Sequence, residues 1–407
     1  MADPSRTVQY VFSPGMLEAS EPGRWTETDL LPTETLINLG PQHPSTHGVL
    51  RLEVKLEGEV LKEVDPHIGY LHRCFEKHAE ALPFNQIIPF VDRIDYIAAM
   101  NCEHVYAAGI EKILGIDQHI HPRVEMIRIL VAELNRIASH FVAIGTYGMD
   151  LGAFTPFLWL MRDREHILRM LEWASGARML YNYIWIGGLF YDLPPGFEER
   201  ALQFAQYLLP KMKELEDLLQ TNQIFISRTA GIGVIPRAMA VNAGLSGPML
   251  RASGIRRDLR KNGFGRYAEL DFEVPVGRGE KGQQGDCWDR AWVRVRECYE
   301  SIRLVHQAAE KLLGPYARTT DFNPQEACPK KIRPAEGNWY FSGETPRGEL
   351  GFFLSTDGRS DVPLRLKARA ASFSNLSILP QISKDHLLAD LIAIVGSIDL
   401  VMGEVDR

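Results

Sequence analysis

From Leu50 the chain alternates, with Leu50, Leu52, Val54 and Leu56 apolar against Arg51, Glu53, Lys55 and Glu57, as far as a turn at Gly58. A period of two predicts a half-buried strand, and Val60 and Val64 mark the returning arm of a hairpin. Further on the period becomes helical. Asp95 to Gly115 reads as a helix with Tyr96 in its first turn and Gly115 as its C-cap. Pro122 to about Gly145 places Ile127, Leu130, Val131, Leu134, Ile137, Ala138, Phe141 and Ile144 at helical spacing on one face. Arg128, Glu133, Asn135, Arg136, Ser139 and His140 punctuate that helix with more polarity than a two-sided helix needs. Gly145 to Gly152 is expected to break it and to leave Asp150 in a glycine-rich connection. Thr155 and Pro156 form an N-cap and N1 pair for a helix running towards Tyr183. A further helix over about 197–220 contains Pro210, where a kink or restart is expected. Asp286 to Leu313 and Asp385 to Asp399 are also helical, with β-like pieces at Trp339–Ser342, Gly351–Ser355 and Leu364–Ala368 between them.

These elements predict an α+β fold that is mainly α: a central bundle of long helices, an N-terminal β-hairpin or sheet, and small β extensions. The expected organisation is an extended arm over 1–35, a β domain over 36–66 and a helical core over 67–222. A loop-rich insertion over 223–285 and C-terminal helices over 286–407, with a β extension returning to the core, complete it. Within the insertion, Gly231-Ile232-Gly233 has no leading strand and no acidic residue at the dinucleotide spacing, which excludes a Rossmann reading.

A hydrophobic content of 45% is that of a globular chain with ample core, and a net charge of −7 argues against nucleic acid as the main partner. No apolar run approaches the roughly 20 residues that span a bilayer. Met1 to Tyr10 has no apolar signal core, so a cytoplasmic location is expected, with any membrane role peripheral. The five cysteines form no Cys-x-x-Cys pair and read as reduced thiols. The loop Gly40-Pro41-Gln42-His43-Pro44-Ser45-Thr46-His47-Gly48 is the clearest candidate for chemistry, since its two prolines forbid a regular helix and leave both histidines on a loop at a sheet edge.

That loop, together with Gly69-Tyr70-Leu71-His72-Arg73, Leu134-Asn135-Arg136-Ile137-Ala138-Ser139-His140, Ser246-Gly247-Pro248-Met249-Leu250-Arg251, Pro346-Arg347-Gly348-Glu349 and Gly403-Glu404-Val405-Asp406-Arg407, resembles the D-type (49-kDa-like) quinone-site subunit of respiratory NADH:quinone oxidoreductase, complex I. The resemblance extends from about residue 36 to the last residue. This family is itself related to the large subunit of nickel–iron hydrogenases, which hold their metals with two Cys-x-x-Cys pairs. At the matching positions this chain has Asp95 and Ala98, then Val401 and Glu404. A soft metal site needs thiolates, so no nickel or iron is expected in this chain.

The resemblance implies a hydrogenase large-subunit-like fold in which the vacated cavity receives a quinone headgroup, menaquinone or ubiquinone. It implies that His47 and Tyr96 hydrogen-bond the two quinone oxygens and that Asp150 pairs with His47. Arg73 would face a [4Fe–4S] cluster held by a small, B-type partner subunit. Cys74, where many family members have glycine, would bring a thiol near that cluster. Many members also have a histidine after Gly-Ala-Arg-Met; here Gly176-Ala177-Arg178-Met179 is followed by Leu180. Further implied partners are the C-type subunit and the membrane-arm H-type subunit, at the cytoplasmic face of the cell inner membrane. The alternatives are a catalytically silent scaffold of the same complex and a hydrogenase-like metal subunit, the latter disfavoured by the missing thiolates. Read alone, His47 is a loop histidine, Tyr96 a half-buried helix-start tyrosine, Asp150 a turn former or cap, and Arg73 one half of a surface ion pair with Glu76 or a neighbouring acid.

Overall fold

The computed structural model describes Leu31, residues 33–43, Thr46 and residues 48–407. The arm expected over 1–35 therefore lies almost wholly outside the described residues.

Strands β1 (Glu34–Leu39), β2 (Arg51–Glu57) and β3 (Val60–His67) form an antiparallel sheet with β2 in the middle. The alternation sets its register: Val54 lies opposite both Ile37 and Val64, and Leu52, Val54 and Leu56 are buried. Glu53 departs from the expected pattern, being buried on the other face, where its carboxylate lies 3.1 Å from His67 Nε2. The β3 end of the sheet is stitched to the C-terminal region, with Asp385 donating to Leu61 O and Leu388 to Glu59 O.

The helical core consists of α1 (Ala99–Leu114), α2 (Pro122–Asp150), α3 (Phe154–Ser175), α4 (Phe197–Leu215), α5 (Cys287–Leu313) and α6 (Leu388–Ile398). Helix α2 is central and packs against α1, α3, α5 and α6. Pro122 occupies its first turn, and His121 caps it by accepting from the Arg123 amide. The helix runs five residues beyond the expected end, so Asp150 is its last residue and not part of a loop. Gly145 and Gly148 do not break it because they serve close packing: a Cβ on Gly145 would meet the Phe157 backbone at 3.3 Å, and one on Gly148 would meet Ala153 O at 3.4 Å. The chain reverses at Gly152, so α3 opens at Phe154 and takes Thr155 and Pro156 inside its first turn. It ends at Ser175, short of Tyr183, because Gly176 adopts the left-handed backbone of a C-cap. Helix α4 continues through Pro210 without restarting, and the irregularity falls later, in a π-helical turn over Glu216–Gln220.

The excess polarity of α2 is explained by what surrounds it. Arg128, Glu133, Asn135, Arg136, Ser139 and His140 are all buried, and each meets a polar partner. Arg128 pairs with Glu111 at 2.6 Å, Glu133 accepts from Tyr267 at 2.6 Å and Ser301 at 2.7 Å, and His140 lies 3.0 Å from Glu297. Polar side chains buried on a core helix are tolerated only when such partners exist.

Strands β4 (Gly337–Thr345), β5 (Gly348–Thr356) and β6 (Arg365–Arg369) make the second antiparallel sheet, as the β-like pieces predict. Thr345 pairs with Gly348, so Pro346 and Arg347 form the two-residue tip of a hairpin. That tip is buried and delivers the Arg347 guanidinium into the core. The fold is thus mainly α with small antiparallel sheets.

Candidate functional site

Tyr96 lies in the turn between Asp92 and Ala98, not in the first turn of a helix. The sequence reading missed this because the turn is held by side chains distant in sequence. Asp95 folds back on its own segment, accepting from the Ile97 amide at 3.2 Å, which delays the helix to Ala99. From α2, Asn135 clasps both ends of the turn: its Nδ2 donates to Ile97 O at 3.0 Å, and its Oδ1 accepts from the Met100 amide at 3.0 Å.

Arg347 arrives from the β4–β5 hairpin tip. Its Nη1 donates to Asp95 Oδ2 at 2.5 Å and to Ser139 Oγ at 3.1 Å, and its Nη2 donates to Asp399 at 3.3 Å. Asp399 ends α6 in a left-handed conformation (φ 61°), and Arg294 approaches its carboxylate to 3.8 Å. Neighbouring carboxylates outweigh desolvation at Arg347 and hold its guanidinium charged. Burial pushes the Tyr96 phenol above its ordinary range and the Asp95 charge adds to this, while the Arg347 and Arg73 cations oppose it. Tyr96 is therefore a protonated phenol at neutral pH, beside a guanidinium able to face a developing negative charge.

The four positions that the resemblance aligns with hydrogenase cysteines, Asp95, Ala98, Val401 and Glu404, lie on two segments that pack together here. Gly403 presses on the Tyr96 turn, since a Cβ on it would meet Arg93 O and Ile94 O, each at 3.0 Å. Asp95, Ala98, Val401 and Glu404 are all buried. Asp95 is engaged by Arg347, and Glu404 accepts from the Ala371 amide at 3.1 Å, the Ser372 amide at 3.0 Å and the Ser372 hydroxyl. These positions offer two committed carboxylates and no sulfur donor, an environment unsuited to a soft metal.

His47 lies outside the described residues, as do Pro44 and Ser45. The flanks of its loop are described. His43 and Gly48 form a β-bridge, and the buried Thr46 hydroxyl donates to His43 O at 2.8 Å. A Cβ on Gly48 would touch Met402 at 3.5 Å, one residue from the Gly403 that packs on the Tyr96 turn. Asp150 is half-buried at the end of α2 against α6, its Oδ2 3.2 Å from where a Gly396 Cβ would sit. A route from Asp150 to the Tyr96 turn thus runs along the end of α6 to Asp399, then through Arg347 to Asp95.

Arg73 is exposed and donates to Arg93 O in the Tyr96 turn, while its amide donates to Arg407 O at 3.3 Å. It is not the partner of Glu76, which pairs with Arg365 at 2.6 Å. Cys74 is exposed and has a left-handed backbone (φ 57°), which explains physically why glycine suits this position. Leu180 is left-handed too (φ 59°). Sequence reasoning assigned no site role to Arg347, Asp399, Asn135 or Ser139. Arg347 stood in a quoted motif, but nothing local shows that a hairpin tip points inward.

The model of the respiratory-chain NADH dehydrogenase 49 kDa subunit family matches residues 150–407. The chain is 62% identical over 392 residues to the D 1 subunit of the NADH-quinone oxidoreductase of Cytophaga hutchinsonii, covering 96% of this chain and 100% of that one. It is 60% identical over 397 residues to the D subunit of the same enzyme in Amoebophilus asiaticus, covering 97% and 98%. To the D subunit of Chlorobium phaeovibrioides it is 54% identical over 382 residues, 94% of each chain. Matches of this extent show that the chain belongs to the 49 kDa, or D, subunit family of complex I, the respiratory NADH:quinone oxidoreductase.

Proposed function

We propose that this chain forms the quinone-reduction wall of its complex, taking two electrons from a [4Fe–4S] cluster in the small B-type subunit and supplying two protons through Tyr96 and His47. The observation that carries this reading is Tyr96 itself: a protonated, half-buried phenol on a turn clasped by Asn135 and backed by the Asp95–Arg347 pair.

Reduction of a quinone to a quinol consumes two electrons and two protons, and each oxygen gains one hydrogen. A tyrosine near pKa 10 is roughly 4 kcal/mol uphill as a donor to water at pH 7. It gives up its proton only to an oxygen made strongly basic by electron arrival, so transfer waits for reduction. The Arg347 cation then faces the phenolate that remains. His47 supplies the second proton, as the side chain whose proton is available near neutrality. Asp150 favours the cationic form of His47 and is freed to rearrange once that proton leaves, which gives reduction a mechanical output. Arg73 and Cys74 lie on the cluster side, and the Arg73 bond to Arg93 O supports a short path from that side to the Tyr96 turn.

Among the described residues no helix is long and apolar enough to cross a membrane. The reading has the chain docked peripherally at the cytoplasmic face of the inner membrane, between the B- and C-type subunits and the membrane-arm H-type subunit.

The test is quinone reduction by membranes carrying Tyr96→Phe, with NADH-to-ferricyanide activity measured in parallel. Persistence of ferricyanide reduction with quinone reduction lowered by about an order of magnitude or more, within what a positioned proton donor contributes, supports the reading. Persistence of both activities favours a silent scaffold. Absence of ferricyanide activity in the wild type points to a donor other than NADH.

A further inference from the structure

Asp92 and Glu103, both 0% exposed, flank the Tyr96 turn in sequence, and their carboxyl groups interact directly. Asp92 starts that turn, and Glu103 is on α1. One oxygen of each is spoken for: Asp92 Oδ2 accepts from the Asn182 amide at 3.2 Å, and Glu103 Oε2 accepts from the Tyr183 and Ile184 amides at 2.9 and 2.7 Å. The other two oxygens, Asp92 Oδ1 and Glu103 Oε1, are buried and meet no protein donor among the described residues. The carboxyl groups lie within hydrogen-bonding reach of each other. Two buried carboxyl groups within reach of each other, each with an oxygen that meets no protein donor, are satisfied when one proton is shared between them.

We propose that Asp92 and Glu103 form an internal proton-binding site, holding one proton between Asp92 Oδ1 and Glu103 Oε1, and that this proton latches the segment 176–184 onto the turn that carries Tyr96. The segment needs a latch, because Leu180 and Asn182 are both non-glycine residues in the left-handed region, at φ 59° and 46°. Its three consecutive amides at Asn182, Tyr183 and Ile184 are what the pair grips.

The surroundings fit a singly protonated pair. Arg93 is the facing cation, at 3.7 Å from Asp92 Oδ2; it is 43% exposed and also donates to Pro89 O. One partly solvated guanidinium matches one negative charge better than two. Among the described residues, Tyr181, Tyr183 and Cys102 are the other titratable groups that face the pair, and burial holds all three neutral by raising their proton affinity. Burial and the neighbouring carboxylate raise Asp92 far above the carboxylate range. The proton is therefore held through neutral pH and released only in alkali, where two adjacent buried carboxylates repel and the latch opens. None of this depends on which reaction Tyr96 serves.

The experiment uses the intact complex carrying Asp92→Asn, Glu103→Gln or Asp92→Ala. Infrared spectra of wild type minus variant at about pH 8, where an isolated carboxyl group is ionised, should show a deuterium-sensitive protonated-carboxyl carbonyl band lost in both Asp92→Asn and Glu103→Gln. Each of these two variants sets a side-chain amide donor against the remaining acid, which together with the amides at 182–184 favours its ionised form. Differences confined to carboxylate bands would overturn the proposal. Asp92→Asn keeps a donor facing Glu103 and should assemble, whereas Asp92→Ala should assemble poorly. The pH at which half of the complex dissociates should rise by about one unit or more in Asp92→Asn, because the amide has no proton to lose. An Asp92→Asn complex that fails like Asp92→Ala, or dissociates at the wild-type pH, would refute the latch.

Discussion

Arg347 Nη1 lies 2.5 Å from Asp95 Oδ2, joining a hairpin tip to the residue immediately before Tyr96, with both side chains 1% exposed. The same guanidinium reaches Asp399 at the end of α6, so one cation neutralises two carboxylates from segments more than 300 residues apart. Arg347→Ala should leave Asp95 buried without its cation and Asp399 with only Arg294, at 3.8 Å, at a cost of about 3–5 kcal/mol. The subunit should then fail to accumulate in the assembled complex. Arg347→Lys keeps the charge but loses the fork. It should assemble while quinone reduction falls, with a loss of about 1.4 kcal/mol in positioning giving a tenfold drop in rate. Blue-native gels and parallel quinone and ferricyanide assays separate the two outcomes. Unchanged quinone turnover in Arg347→Lys would remove the arginine from any role at Tyr96.

Cys74 tests a backbone argument. A non-glycine residue at φ 57° costs about 1–2 kcal/mol relative to its preferred conformations, while glycine gives back about 0.5–1 kcal/mol through the entropy of the unfolded chain. Cys74→Gly should therefore be neutral to stabilising by about 1 kcal/mol, with the Arg73 contact to Arg93 O retained. Thermal dissociation of the complex, measured for Cys74→Gly beside Cys74→Ala, checks this. A lower midpoint for glycine than for alanine would show that the thiol or the Cβ makes contacts that matter more than the strain.

Much of the frame was legible because it is local. Alternation wrote β2, and the i, i+3, i+4 stripe wrote α2. The places where reading failed turn on packing partners that no local pattern shows, some near in sequence and some far. Gly145 and Gly148 look like breakers until Phe157 and Ala153 are seen against them. Tyr96 looks helical until Asn135 is seen holding the turn open. The candidate site was legible only through resemblance, since nothing in the spacing of Tyr96 and Asp150 brings them to opposite ends of one α6–Arg347 path. The buried charges of α2 were visible as an anomaly, but their partners, Glu111, Arg260 and Glu297, come from helices and loops that no local pattern pairs.

Asn135 makes the turn a separable test of positioning. Replacement by alanine removes one buried and one partly buried hydrogen bond at about 1 kcal/mol each and leaves the Met100 amide and Ile97 carbonyl without this partner, for a total of about 2–4 kcal/mol. Asn135→Asp restores the acceptor for Met100 but not the donor for Ile97, so it should recover part of the loss. If the asparagine serves only to place Tyr96, kcat for quinone should fall while ferricyanide reduction holds, and the double variant with Tyr96→Phe should be little worse than Tyr96→Phe alone. Full additivity in that cycle would show that the two residues act independently.

His104 gives a pH signature with a defined sign. It is buried on α1 against Phe264, with ring centroids 4.7 Å apart, and burial together with the Arg128 cation depresses its pKa to about 3. The folded chain thus holds it neutral, whereas the unfolded chain protonates it near 6.5. A depressed histidine contributes stability that is complete above about 6.5 and is lost as pH falls towards about 3, at up to about 1.4 kcal/mol per pH unit. His104→Gln has no proton to take up, so its thermal midpoint should fall less steeply than that of the wild type between about pH 6 and pH 4.5, within that linkage window. The variant should also be less stable at neutral pH, because the amide packs less well on Phe264 than the imidazole does. Parallel curves with unchanged slope would mean that the unfolded or opened state does not expose His104, and acid sensitivity would have to be sought in the buried carboxylates instead.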